Sequence, residues 1–197
     1  MPKPSLAPLL ACLLTTAGPA HADWKPAEKV SHYAISGSTA PELYFSIGEN
    51  GPKAGAGRAI AHTDFDLTWR RDYQPKGGGC TLVSARPNLT ITYRLPKPSA
   101  RLSPELQKRW DAFASGVAAH EKEHGRYIED MVREIEAVSV GMHMPGDPGC
   151  RKIRSELQKR LGEISQRNRA RHRDFDRVEL NPGGKVHQLI LDFVNGR

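Results

Sequence analysis

The chain has 197 residues, of which 38% are hydrophobic and 26% charged, and it carries a formal net charge of +7. This composition is ordinary for a soluble globular protein and supplies enough apolar sequence for one domain with a real core. No segment beyond the first 22 residues is long and apolar enough to cross a membrane as a helix.

Residues 1–22 read as a secretory signal. Lys3 gives a positive start, "LAPLLACLLTTA" is the apolar run, and Ala20-His21-Ala22 has the small-x-small form of a cleavage site. The mature chain is expected to begin at Asp23 and to be periplasmic or secreted, and because Lys3 is the one charged residue removed its formal charge is +6. "LLAC", ending at Cys12, also fits a lipoprotein cleavage site, although little apolar sequence precedes that cysteine. Removal of the leader leaves Cys80 and Cys150, and an even pair in an exported chain predicts a disulfide, where in a cytosolic chain it would more often be two thiols.

The first half is β-rich. "SHYAIS" alternates through Tyr33 and Ile35 as a half-buried strand does. "STAPELYFSIGENGP" has Thr39 and Glu42 at capping-box spacing, Pro41 in the first turn, and Gly48, Gly51 and Pro52 at its end, which predicts a short helix. Residues 53–61 read as a Gly/Ala loop. "TDFDLTW" alternates through Phe65, Leu67 and Trp69, "NLTITYRL" does so through Leu89, Ile91, Tyr93 and Leu95, and "QPKGGGC" lies between them as a turn. From Ser103 the pattern changes. Pro104 and Glu105 open a helix in which Leu106, Trp110, Phe113, Val117, Ile128, Met131, Ile135 and Val138 recur in steps of three and four. "HMPGDPGC" breaks it, and a second helix places Ile153, Leu157, Leu161, Ile164 and Phe175 on one stripe. The last segment, "KVHQLILDFV", alternates through His187, Leu189, Leu191 and Phe193 and is read as a short strand. The expected class is α+β, an N-terminal antiparallel β-rich half packed against two long C-terminal helices, with a short C-terminal strand.

The first long helix carries "HEKEH" at residues 120–124. At about 100° per residue, His120 and His124 fall on the same arc as the apolar stripe, so both imidazoles face the core, one turn apart, where they can share a metal ion. The run satisfies both H-E-x-x-H, with Glu121 as the base, and the inverted H-x-x-E-H, with Glu123. Glu121 lies roughly 55° from the centre of the stripe and Glu123 roughly 105° from it. Glu121 can therefore lean over a bound ion, whereas Glu123 is directed to the surface and to a basic neighbour. Against this stands the blander reading that H-E-x-x-H arises by chance and the histidines are merely partly buried, hydrogen-bonded groups.

In their order, "YAISGSTAPELYFSIGENGPK", "TDFDLTW", Cys80 before a strand, "YRLP", Trp110 and "HEKEH" resemble the bacterial domain of unknown function 922 family, described as predicted secreted zinc-dependent proteases. The resemblance covers about Trp24 to Phe175 and implies a zincin-like metallopeptidase domain over residues 23–197. The family often continues with a Tyr-Asp pair followed by Thr-x-His-Gly; this chain keeps a version of the first as Phe175-Asp176 and has "ELNPGG" in place of the second. That departure bears on the third metal ligand, because a catalytic zinc generally takes three protein ligands. Asp176 is the choice the retained pattern implies. His172, one turn before it, and His187, on the apolar side of the last segment, also remain open.

Two functions follow. The first is an exported Zn2+-dependent hydrolase acting on a peptide or protein substrate in the cell envelope, with zinc on His120, His124 and Asp176 and Glu121 as general base. The second is a non-catalytic envelope protein with a structural metal or disulfide, whose basic segment from Arg151 to Arg173 makes peripheral contact with an acidic partner or surface. Nucleic acid is not an expected partner of an exported chain.

Overall fold

The computed structural model describes residues 24–54 and 57–196. The signal sequence, its cleavage before Asp23 and Cys12 lie outside the described residues. The elements run β1 (Ala27–Ile35), α1 (Ala40–Asn50), β2 (Lys53–Ala54), β3 (Gly57–Arg58), β4 (His62–Lys76), β5 (Gly79–Pro98), α2 (Pro104–Ser139), β6 (His143–Met144), α3 (Lys152–Leu180) and α4 (Lys185–Asn195). The protein is α+β, with the sheet first and the long helices after it.

The sheet is built on a long hairpin. Gly77 and Gly78 take φ of 59° and 74°, the left-handed pair that a two-residue turn demands, and Lys76 pairs with Gly79 across it. β4 and β5 extend well beyond the alternating cores visible in the sequence. A register shift between Asp72 and Tyr73 realigns them halfway, so that Leu82, Ala85, Leu89, Ile91 and Tyr93 of β5 all end up buried. The antiparallel expectation holds for β4 on β5 and β5 on β6, while β1 joins the other edge of β5 in parallel, Ala27 opposite Thr90 through Ile35 opposite Pro98. The predicted Gly/Ala loop contains the two-residue ladder of β2 and β3.

α1 begins as the sequence indicates: Thr39 accepts from the Glu42 amide, and the Glu42 carboxylate accepts from the Ser38 amide at 2.7 Å. α2 is one unbroken helix of 36 residues, opened by Ser103, whose hydroxyl accepts from the Leu106 amide. Its first half packs with α1, the end of β1 and α4 in one apolar cluster that includes Phe113 and Val117; its second half packs on β5 and α3 in another that includes Ile128 and Val132.

The expected C-terminal strand is instead the helix α4. The segment satisfies two periods at once, and the helical one wins because Val186, Leu189, Ile190, Phe193 and Val194 then share one face against α2. Phe193 stacks on Phe113 at 4.7 Å and meets Trp110 edge-on at 5.7 Å, burial that a strand lacking a sheet neighbour would not obtain. The disulfide between Cys80 and Cys150 is formed, with Cα atoms 5.3 Å apart, and ties the hairpin to the segment before α3.

Candidate metal centre

HEKEH lies midway along α2, between the two apolar clusters. His124 is buried, and the His120 side chain is only 8% exposed. α3 crosses at this level and delivers Asp176. The three candidate ligand atoms form a small triangle: His120 Nε2 to His124 Nε2 3.1 Å, His124 Nε2 to Asp176 Oδ1 2.8 Å, and His120 Nε2 to Asp176 Oδ1 3.2 Å. Zinc bonds of about 2.0–2.1 Å in tetrahedral geometry separate neighbouring ligands by about 3.4 Å. The donor set therefore fits a divalent ion with little adjustment, and His120, His124 and Asp176 could together hold one. Burial alone would raise the Asp176 carboxyl, but its hydrogen bonds to His120 and His124 outweigh that and hold it well below the usual carboxylate range.

Neither His172 nor His187 belongs to this triangle. His172 is behind His124, its ring coplanar with it and the two Nδ1 atoms 2.6 Å apart. Burial, reinforced by His124, lowers the His172 pKa to about 4, so this imidazole is neutral near pH 7, and Asn168 Nδ2 donates to its Nε2 at 3.2 Å. A metal on His124 Nε2 would take the place of the proton that this nitrogen shares with Asp176. His187 is on α4, its Nδ1 3.4 Å from the Gly183 amide, and does not line the cleft. His120 Nδ1 is buried without a hydrogen-bond partner and faces Glu179 Oε2 at 3.8 Å, the carboxylate-behind-imidazole arrangement that anchors metal-bound histidines. Phe175 stacks against His120 at 4.7 Å and fixes the ring plane.

The two glutamates have separate environments. Glu121 is 6% exposed, and its Oε2 accepts from Thr63 Oγ1 at 2.6 Å. Glu123 pairs with Arg126 one turn on, at the surface. On the far side of the helix, Lys122 donates to Glu28 at 2.7 Å and lies over the Tyr93 ring, while Tyr93 donates to the other Glu28 oxygen at 2.6 Å. Lys122, then Tyr93, hold the Glu28 carboxyl below its ordinary value. Gly125 makes this possible, since a Cβ there would lie 2.2 Å from Tyr93 Oη.

A cleft of about 930 Å³ opens over the triangle between α2, α3 and the segment from β3 into β4, and Glu121, His120, His124 and Asp176 all line it. The sequence reading found those four residues and missed Thr63 and Glu179. Thr63 opens an alternating strand on its inward face, and Glu179 follows Asp176 by three on one helix, which is the only local signal either carries.

A mixed sheet backed by long helices, with an imidazole pair and a carboxylate converging under a cleft, defines a protein with a candidate divalent-metal centre. The chain belongs to the family described as "Bacterial protein of unknown function (DUF922)", whose model matches residues 30–184. No curated protein and no solved structure matches it.

Proposed function

We propose that the protein is an exported zinc-dependent hydrolase, most simply a metallopeptidase, in which His120, His124 and Asp176 hold zinc and Glu121 is the general base. The observation that carries this reading is the convergence of the three ligand atoms beside a buried glutamate that borders the same cleft. When bound, zinc would acidify a water toward a pKa of about 7 and polarise the scissile carbonyl. Glu121, with one oxygen fixed by Thr63, takes the proton of the attacking water on the other and passes it to the leaving nitrogen. With zinc bound, both imidazoles would carry their protons on Nδ1, where His120 faces Glu179 and His124 faces His172. The disulfide supports export to an oxidising compartment, and among the described residues no helix is long and apolar enough to cross a membrane.

The second reading, a basic helix serving an acidic partner, draws less support. Arg160, Arg167, Arg171 and Arg177 of α3 each pair with a carboxylate of α3 or α2. The test is metal analysis with an activity assay. Purified protein should carry one zinc per chain and hydrolyse an unfolded protein substrate in a chelator-sensitive way, and His120→Ala and His124→Ala should each lose the zinc. Full zinc occupancy in either variant would remove the assignment.

A further inference from the structure

The cleft has a second character that the metal triangle does not use. Two of the large apolar side chains that the protein leaves in solvent, Phe65 on β4 at 43% exposure and Leu180 at the end of α3 at 47%, both line it, and Ile60 and Val186 continue the apolar wall. Exposed apolar groups gathered on one concavity mark a surface built to be covered. The rim is cationic. Arg58 lies on the β3 side, and Arg169 and Arg173 on the α3 side.

These arginines differ from most others on α3, where Arg154 lies over the Tyr73 ring and four more are paired with carboxylates. Arg160, Arg167, Arg171 and Arg177, none of which lines this cleft, are each neutralised by a carboxylate. Of the three on the rim, Arg58 donates to the Gly51 carbonyl and Arg169 to the Ser165 hydroxyl, and none of the three forms an ion pair among the described residues. The acidic side chains lining the cleft are Glu121 and Asp176, which already have partners in Thr63 and the two histidines. A concave, partly apolar surface bordered by guanidinium groups of one sign focuses its field on an anionic ligand, and guanidinium matches carboxylate geometry.

From this pattern we infer that the cleft takes acidic peptide segments, an apolar side chain seated against Phe65, Leu180, Ile60 and Val186 and flanking Asp or Glu carboxylates held by Arg58 on one side and Arg169 and Arg173 on the other. This rests on the hydrolase reading for what happens to the peptide, but not for its binding.

Binding is therefore measured apart from turnover, on the Glu121→Gln protein, by fluorescence anisotropy with three labelled peptides that share one central leucine and carry Glu, Gln or Lys on both sides. Charge-assisted hydrogen bonds of about 1.5–3 kcal/mol correspond to about ten- to hundredfold in affinity, so the Glu peptide should bind at least tenfold tighter than the Gln peptide. The gap should shrink as salt is raised from 50 to 300 mM. In Arg169→Glu/Arg173→Glu, checked for an unchanged melting curve, the order should turn toward the Lys peptide. Equal binding of the Glu and Gln peptides by the unaltered rim overturns the inference without any variant. So does a Glu preference that survives reversal of both arginines, since the carboxylates would then be held at the metal centre. Cleavage by the wild-type protein without acidic preference would sink this inference and leave the hydrolase; acidic binding with no cleavage of any peptide would do the reverse.

Discussion

Glu121 and Glu123 stand two positions apart on one helix, yet they differ in each property that matters to proton transfer. Glu121 is buried at the cleft and oriented by Thr63; Glu123 is occupied by Arg126 outside it. Glu121→Gln should retain zinc and fold while hydrolysis falls about 10²–10⁴-fold, the usual worth of a positioned base, and Glu123→Gln should leave the rate close to wild type. Inactivity of the Glu123 variant would instead assign the inverted motif. The same helix carries a second residue-scale expectation at Gly125. In an exposed helix interior Gly→Ala stabilises by roughly 1 kcal/mol, but here the added methyl meets Tyr93 Oη, which Glu28 holds in place. Gly125→Ala should destabilise by about 1–3 kcal/mol in urea titration, as overpacking does, and a gain in stability would contradict the contact. HEKEH and its angular assignment were legible because both histidines, both glutamates and the apolar stripe lie on one helix. Thr63 and Glu179 were not, since each acquires its role only when another element arrives beside it.

At the scale of elements, α3 lacks a capping side chain at its own first residue and borrows one from the preceding turn. Asp147 accepts from the Arg151 and Ile153 amides, both at 2.9 Å. Burial by itself would raise this carboxyl, but the amides of Ile153, Lys152 and Arg151 win and depress it below 3.8. With the folded-state value depressed, the stabilisation is fully present above the unfolded value and is lost as pH falls through the folded one. The melting temperature of Asp147→Ala should therefore lie below wild type at pH 6, and the gap should close as pH falls through the depressed folded-state value; a gap independent of pH would mean that the carboxylate is not the cap. The sequence announced α1 and α2 through their caps and stripes. It misdirected at α4, where apolar residues fit periods of 2 and 3.6 over only eleven positions, and the choice was made by Trp110 and Phe113 on a distant helix.

For the whole molecule, the pairing of Cys80 with Cys150 was legible from the cysteine count once residues 1–22 were read as a leader, whereas the parallel docking of β1 on β5 was not, because nothing local encodes which edge a strand will choose. The bridge spans 70 residues and encloses nearly all of β5, all of α2 and β6. In the chain-entropy account a loop of that length stabilises by about 4 kcal/mol, so the Cys80→Ser/Cys150→Ser protein should unfold at lower urea by about that free energy. A loss under about 1 kcal/mol would imply that the reduced chain keeps this region together without the bond.

The placement of HEKEH between two apolar clusters has a further consequence. Val117, one turn before His120, belongs to the first cluster and Ile128, one turn after His124, to the second. The HEKEH turn is thus clamped at both ends by packing that involves no ion, unlike small domains in which metal binding is itself the folding free energy. After chelation the far-ultraviolet circular dichroism should be unchanged, and the backbone amides from about 117 to 128 should remain among the slowest to exchange with deuterium. Rapid exchange there in the chelated protein would show that the ion, and not the core, holds the turn in shape. Slow exchange would mean that the turn waits ready for its ion, and that the metal can be removed and restored without the chain refolding around it.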